Sequence, residues 1–180
     1  MYEREEARQA VAGRPLLFLN IDRPETQFPE DVDMYDGRVY DKARELFDRE
    51  LAQGVFVREE KPCYFLYELT MDGRSQTGIV ACCAINDYLG NVIKKHENTR
   101  EEKEQDRIRH VDRMNAQTGP IFLAYRQGEA IRRLVARVKS QAPLYDFVTE
   151  DGVGHRVWRT ADPESCAALE AAFGQIPALY

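Results

Sequence analysis

Two β-prone runs joined by Asp72-Gly73 constrain the fold more than any other feature of this sequence. The first run covers residues 64–69 and the second covers residues 76–82, and both are rich in aromatic or β-branched side chains. Asp-Gly between such runs favours a tight hairpin turn, because both residues tolerate the positive φ that the turn needs. Residues 144–149 and 155–159 around Asp151-Gly152 predict a second hairpin in the same way.

Helical patterns lie between and around these hairpins. Apolar residues recur at helical spacing over residues 40–53 and 130–138, a short helix is predicted over 3–12, and Asp162-Pro163 is typical of a helix start. Apolar runs at 16–21 and 121–125 predict two further strands, and a strand is also expected to begin at 178–180. Residues 22–37, with two prolines and six acidic residues, predict an exposed acidic loop.

Together these elements predict an α+β (mixed α/β) fold in one domain over residues 1–180. The sheet is expected to be mixed and largely antiparallel, with hairpins and flanking helices. No G-x-G-x-x-G or G-x-x-x-x-G-K loop occurs in the sequence, which argues against a Rossmann or P-loop nucleotide site.

Charge and cysteine usage limit the classes of function. The net charge of −6 makes nucleic acid an unlikely partner, since binding it depends on neutralising phosphates. No apolar run approaches the roughly 18–20 residues that cross a bilayer, and the charged N-terminus is unlike a signal peptide, so we expect a cytoplasmic protein without membrane contact. The four cysteines and three histidines lack metal-ligand spacing, so no metal site is expected.

The stretch between Ile93 and Ile108 contains no apolar side chain and is rich in helix-forming Glu, Lys and Arg. On a helix starting near His96, one face would hold a basic row. Its members are His96, Arg100, Lys103, Arg107 and His110. One interpretation is a solvated helix laced with ion pairs. The other is a phosphate site formed by Lys95, Arg100, Lys103 and Arg107, beside a His96-Glu97 pair able to transfer a proton.

The same stretch resembles a known family, the domain of unknown function 1015. The matching segments span nearly the whole chain, and the Lys-Lys-His-Glu-x-Thr-Arg signature is specific. They are Gln76-Thr77-Gly78, residues 93–100, Lys103-Glu104, Asp106-Arg107, His110, Asn115-Ala116, residues 119–125, Asp151-Gly152-Val153, His155 and Trp158.

The resemblance also implies an activity. Family members are similar to the ParB/sulfiredoxin-like superfamily, which includes ADP-dependent serine kinases. By that similarity, Glu97 would be the general base on a substrate hydroxyl, with His96 and Arg100 near the transferred phosphoryl group. The implied reaction is nucleotide-dependent phosphotransfer to a small hydroxylated metabolite, using ADP or ATP with Mg²⁺. The expected partners are therefore a nucleotide and a small-molecule substrate, and a homo-oligomer is left open.

This chain differs in length from the members of the family that it resembles. Family members are longer and continue into an Asp-Gly-His-His-Arg motif, so the chain is expected to be an inactive fragment with a frayed or borrowed strand end at 178–180. Two alternatives stay open. One is a ParB-like nucleotide-binding regulatory module without turnover. The other is a sulfiredoxin-type redox protein using Cys82 or Cys83, which the sequence places in a β run with one thiol inward and one outward.

Overall fold

The structure, a computed structural model, describes residues 3–95, 98–126 and 128–180. The chain divides into two compact units, one of Met1–Arg58 and Asn98–Pro120 and one of Glu59–Glu97 and Ile121–Tyr180. A single domain over 1–180 stays a prediction, because a division by contacts does not decide whether the units fold separately.

The secondary structure of the described residues is α+β, as predicted. The helices are α1 (Arg4–Val11), α2 (Leu19–Asp22), α3 (Gly37–Ala52), α4 (Ile85–Leu89), α5 (Glu101–Met114), α6 (Glu129–Lys139) and α7 (Pro163–Phe173). The strands are β1 (Tyr64–Met71), β2 (Arg74–Val80), β3 (Tyr145–Val148) and β4 (Gly154–Thr160).

The first unit is helical and contains α1, α2, α3 and α5. Its core is a cluster of buried residues from three of these helices. They are Ile21 of α2, Ala43 and Leu46 of α3, and Met114 of α5. The helices predicted near 3–12 and 40–53 are confirmed as α1 and α3. The Asp36 side chain caps α3 by accepting a hydrogen bond from the Arg38 N–H.

The strand predicted over residues 16–21 is wrong. The chain turns after Pro15 and forms the short helix α2 instead. The buried Asn20 amide holds this turn, because it donates to the carbonyls of Arg14 at 3.0 Å and Leu17 at 2.9 Å. A short apolar run does not by itself distinguish a buried strand from a buried helical turn, and here a polar side chain decides the outcome.

The segment predicted as an exposed acidic loop, residues 22–37, is not exposed throughout. It begins with a 3-10 turn at Pro24–Gln27, in which Glu25 is only 3% exposed. Arg23 Nε donates to Glu25 Oε1 at 2.5 Å, which compensates the buried carboxylate. Arg4 donates to the carbonyls of residues 29, 30 and 32, so α1 holds the rest of the loop in place.

The second unit contains the four strands in one antiparallel sheet of order β2-β1-β4-β3. Both predicted hairpins are confirmed, β1–β2 and β3–β4. At the first turn Asp72 and Gly73 have φ values of 51° and 74°, the left-handed pair that an Asp-Gly turn was expected to adopt. One face of the sheet packs on α6 through Leu66, Trp158 and Val138, so Trp158 is a core residue.

The β run expected to continue through Cys82 and Cys83 is wrong. β2 ends at Val80, and residues 81–84 are coil before α4. The register explains the ending: Val80 pairs with Phe65, near the start of β1, so later residues have almost no partner strand left. Both thiols are exposed, instead of one pointing inward and one outward.

The chain end is paired, which corrects the expectation that residues 178–180 are frayed or borrowed. Leu179 N–H donates to Val92 O at 2.9 Å, and Lys94 N–H donates to Leu179 O at 2.7 Å. Tyr180 and Ala124 exchange two backbone hydrogen bonds of 2.8 and 2.6 Å. The strand predicted over residues 121–125 is reduced to this single pairing, since the described residues there form no strand.

Candidate functional site

The charged segment becomes helical later than predicted. α5 begins at Glu101, and Arg100 is its extended N-cap residue with φ −61° and ψ 136°. Residues 98 and 99, Asn and Thr, are not helical, consistent with their weak helix propensity. Glutamates at 101, 102 and 104 favour a start here, because carboxylates stabilise the positive end of a helix. Arg100 therefore precedes the helix instead of sharing a helical face with Lys103 and Arg107, and His96, the expected first member of that row, lies outside the described residues.

Lys103 is held by a neighbour in its own unit. Its Nζ donates to the Tyr35 hydroxyl at 2.8 Å and lies 5.5 Å from the centre of the Tyr35 ring. The Tyr35 hydroxyl in turn donates to Glu102 at 3.1 Å. The hydrogen bond with Tyr35 raises the pKa of Lys103 above its usual value, so this lysine stays charged at neutral pH.

Arg107 is exposed and faces a carboxylate. Its Nη1 lies 3.7 Å from Asp22 Oδ1, so the guanidinium links α5 to the end of α2. Both side chains are largely solvated, so the pair contributes little stability and leaves the arginine able to exchange partners.

The face of α5 that contains His110 and Met114 is turned toward the core, which the sequence did not predict. His110, expected to extend the basic row or to lie on the surface, is only 5% exposed and contacts the Tyr40 ring edge-on. The Tyr40 hydroxyl donates to Asp106 at 2.8 Å. Burial, followed by this hydrogen bond, raises the pKa of Tyr40, so it remains a neutral donor. On this side of α5, Asp106 and His110 contact Tyr40 at positions where a packed helix usually has apolar side chains.

The structure places the remaining predicted site residues as follows. Arg100 is exposed in the first unit, and Lys95 is exposed in the second, directly after the backbone pairing of Lys94 with Leu179. The predicted catalytic residues His96 and Glu97 lie outside the described residues. The structure therefore brings Arg100, Lys103 and Arg107 onto one helix and its N-terminal cap, and leaves the roles of His96 and Glu97 as predictions.

The N-terminus of α5 is open in the described part of the chain. No described side chain caps it by a hydrogen bond. The first-turn backbone N–H groups of a helix have no partner within the helix, and an anion is a good partner for them. The exposed guanidinium of Arg100 stands at this end, so the helix start and one arginine could together bind an anionic group.

Sequence reasoning missed a polar cluster under the sheet of the second unit. Glu68 is 4% exposed, forms an ion pair with Lys139, and accepts a hydrogen bond from Thr77 at 2.8 Å. Burial would raise the pKa of Glu68, but the hydrogen bonds from Lys139 and Thr77 lower it below its usual value. The available signal was the family-like segment Gln76-Thr77-Gly78, whose threonine is part of this cluster.

A cleft of about 320 Å³ lies at the start of α7 in the second unit. Its three charged side chains among the described residues already have partners within the protein. Arg137 donates to Ser165 Oγ at 2.8 Å, and Asp162 accepts from the Ser165 N–H at 2.8 Å. Arg159 donates to Glu59 at 2.8 Å. The charged side chains that line the cleft therefore already contact other groups of the protein.

Within 3–95, 98–126 and 128–180, no three His, Cys, Asp or Glu side chains are grouped so as to hold a metal ion. No helix among them has both the length and the apolar character needed to traverse a bilayer.

Comparison with known proteins identifies a family. A family model described as "Protein of unknown function (DUF1015)" matches residues 1–180. Neither the curated proteins nor the solved structures contain a significant match to the chain.

Proposed function

Because this chain belongs to the DUF1015 family, which is described only as one of unknown function, we propose a function from the segment that holds its signature. The proposal is a nucleotide-dependent phosphotransferase that acts on a small hydroxylated metabolite. The observation that supports it is the start of α5. A helix N-terminus that no described side chain caps lies next to the exposed Arg100, and two residues separate Arg100 from the Lys95-His96-Glu97 segment in the sequence.

The residues have distinct roles in this proposal. The backbone N–H groups at the start of α5 and the Arg100 guanidinium bind phosphate oxygens, and Lys95 adds positive charge. Lys103 and Arg107 already have partners in Tyr35 and Asp22, so they contribute to the local positive potential more than to direct contacts. Glu97 accepts the proton of the substrate hydroxyl.

The proposed step is a phosphoryl transfer. A bond forms between the substrate oxygen and the terminal phosphorus of ADP or ATP, and the bond from that phosphorus to the bridging oxygen breaks. The hydroxyl proton goes to Glu97, and the shortened nucleotide leaves with the electron pair of the broken bond. Mg²⁺ bound to the nucleotide phosphates would neutralise part of their charge. Mg²⁺ is commonly held by substrate phosphates together with one or two carboxylates.

The ParB-like alternative, nucleotide binding without turnover, is favoured by a different observation. Three predicted phosphate-binding side chains lie at α5, and two of them have partners in their own unit, Lys103 in Tyr35 and Arg107 in Asp22. Cations that already have protein partners can raise the local positive potential for nucleotide binding, but they leave fewer donors to contact a transferred phosphoryl group directly.

Glu97→Gln tests the proposed base. Glutamine keeps the shape of the side chain but does not accept the proton. We expect nucleotide binding to be unchanged and phosphoryl transfer to fall by about 10²- to 10⁴-fold. The measurement is transfer of labelled phosphate from ADP or ATP with Mg²⁺ to a panel of amino-acid and sugar hydroxyls. It is made in the 180-residue chain and in a longer family member with the same signature. Glu101→Gln, in the first turn of α5, is the matched control.

Binding is tested separately with Arg100→Gln, measured by calorimetry with ADP and ATP. Arg113→Gln removes the same charge at the other end of α5 and serves as the control. Weaker binding in Arg100→Gln alone supports the phosphate site. Binding without transfer in every wild-type assay favours the regulatory alternative. Absence of binding in both proteins contradicts both functions, and full activity of Glu97→Gln removes Glu97 from the reaction.

A further inference from the structure

The antiparallel sheet of the second unit has two unlike faces. Strand alternation places Leu66 and Trp158 on the face that packs against α6. The neighbouring residues Tyr67 and Val157 therefore point to the other face. On that face Leu69, Val80, Tyr145, Phe147 and Met71 are each at least 40% exposed. We call it the open face, and its four strands present aromatic and apolar side chains to solvent.

Three rings form a row on the open face. Phe147 on β3 stacks on His155 of β4 with ring centres 4.9 Å apart and planes 8° apart. Tyr67 on β1 continues the row, with its ring centre 6.0 Å from that of His155 and planes 22° apart. The nearly parallel rings on three adjacent strands therefore form a stack, and the Tyr67 ring is its end on the β2 side.

A chain of hydrogen bonds fixes this row. The Tyr67 hydroxyl lies 2.7 Å from His155 Nδ1, and His155 Nε2 lies 3.1 Å from Thr149 Oγ1. Thr149 Oγ1 donates to Asp151 Oδ1 at 2.5 Å. Because the single threonine proton goes to Asp151, the oxygen accepts from His155, and the other ring nitrogen accepts from Tyr67. The rings are thus oriented before any ligand arrives, which lowers the entropic cost of binding.

Hydrogen bonds also keep Asp151 ionised. The Thr149 hydroxyl and the Val153 N–H hold the pKa of Asp151 below its usual value, so the acceptor at the end of the chain persists at neutral pH. The segment from Asp151 to His155 therefore forms the turn between β3 and β4 and also orients the His155 imidazole toward Tyr67.

The space beside Tyr67 on the β2 side is free. The residue paired with Tyr67 is Gly78, which presents no side chain to the open face. A Cβ added to Gly78 would meet only the Tyr67 carbonyl oxygen, at 3.9 Å, among the described residues. Val80 and Gln76 lie on either side of this gap, two residues away along the same strand and on the same face.

The described strands themselves contribute no carboxylate to the open face, and the ionised Asp151 belongs to the β3–β4 turn at its border. The two carboxylates within the described strands, Glu68 and Asp146, both point to the other face, where they pair with Lys139 and Arg156. Arg74, at the start of β2, shares the open face with Gln76, and the described residues provide it no hydrogen bond or ion pair. A chain of net charge −6 thus leaves one unpaired guanidinium at the edge of an aromatic surface.

We propose that the open face binds a mononucleotide, with its base stacked on Tyr67 over Gly78 and its phosphate near Arg74. The Gln76 amide donates to and accepts from the edge of the base. A nucleic-acid strand is the less suitable ligand, because it needs several phosphates neutralised and the face offers one free arginine. The site involves residues of the second unit and needs no phosphoryl transfer, so it can hold or fail independently of the function proposed above.

Ligand-detected NMR with AMP, adenosine and ribose 5-phosphate tests the proposal on the 180-residue chain. We expect saturation transfer to the base protons of AMP and adenosine and little to ribose 5-phosphate. AMP, which is not a phosphoryl donor here, separates this site from the proposed reaction. Gly78→Val fills the gap beside Tyr67 and should weaken AMP binding at least tenfold. Arg74→Gln should weaken AMP binding but leave adenosine unchanged.

Ser75→Val is the matched control, because it adds the same side chain to β2 on the other face and should leave AMP binding unchanged. Circular dichroism checks that each variant is folded. If Gly78→Val is unfolded, Gln76→Ala replaces it, since that side chain is exposed and its loss leaves the strand intact. Equal AMP affinity in the wild type, in Arg74→Gln and in Gly78→Val (or its replacement) overturns the proposal. So does the absence of saturation transfer to the base protons of AMP in the wild type. Salt-sensitive binding to a short oligonucleotide but not to AMP would replace it with nucleic-acid binding.

Discussion

At the scale of single residues, Glu68 shows how a buried charge is retained. Its carboxylate is nearly inaccessible, and two different elements supply its partners: Lys139 from α6 and Thr77 from β2. Lys139 also lies 5.6 Å from the centre of the Trp158 ring, so the ammonium group contacts both the carboxylate and the aromatic core. The pair joins α6 to the sheet at a defined position.

Lys139→Met should destabilise the protein, because it leaves the Glu68 carboxylate buried without its counter-charge. Breaking a buried pair typically costs 3–5 kcal/mol, and we expect about 2–3 kcal/mol here because the Lys139 side chain is 31% exposed. Urea unfolding at pH 7 gives the loss. The double variant Lys139→Met, Glu68→Gln should recover part of it, and an equal loss in both would show that the charge is not the cause.

The same residue gives a pH dependence with a defined sign. The folded pKa of Glu68 is depressed, so its contribution to stability is present above the usual glutamate pKa of 4.5 and is lost as the pH falls through the folded value. In Glu68→Gln the contribution of this group is absent, so the free energy of unfolding should depend less on pH below 4.5 than in the wild type.

At the scale of elements, helix starts are governed by short polar side chains. Asp162 caps α7 by accepting from the Ser165 N–H at 2.8 Å, and Pro163 occupies the first helical position. The sequence predicted this cap because both residue types are favoured at those positions for independent reasons.

Asp162→Ala should remove this cap and lower the free energy of unfolding by about 1 kcal/mol, whereas Asp162→Asn should keep most of it. Chemical denaturation at pH 7 measures both variants. The hydrogen bonds from Ser165 hold the pKa of Asp162 below its usual value, so an aspartate carboxylate is the acceptor at that pH. A loss as large in the asparagine variant would point to charge instead of capping.

Both hairpins followed from sequence, because the turn residues and the β-prone runs around them are local signals. The start of α5 could not be predicted in this way, since a composition that favours a helix does not show at which residue the helix begins. The helical turn at Asn20 was missed for a related reason. Its cause is a side-chain hydrogen bond to Arg14 O, six residues away, which no periodicity reports. The aromatic row depended on register, because Tyr67 and His155 are 88 positions apart.

At the scale of the whole molecule, each unit has a hydrophobic cluster of its own. In the first unit Leu46 of α3 packs with Met114 of α5, and in the second Leu66 of β1 packs with Val138 of α6. In both cases residues distant in sequence complete the cluster, so neither core depends on one local segment.

Leu46→Ala should lower the free energy of unfolding by about 2–5 kcal/mol through lost burial and a residual cavity. Hydrogen exchange should then accelerate in α3 and α5, which share that cluster. Val138→Ala is the companion variant and should accelerate exchange in β1 and β4. If Leu46→Ala leaves α5 protected while stability falls, the cluster around Met114 is not what stabilises that helix.

The coil after β2 offers a spectroscopic handle on the open face. Cys82 and Cys83 are exposed two and three residues beyond Val80, whereas burial raises the pKa of the Cys63 and Cys166 thiols and slows their reaction with alkylating dyes. A maleimide fluorophore should therefore attach first beside the strand that contains Gly78. Its emission would report ligand arrival in real time, without any residue of the aromatic row being altered.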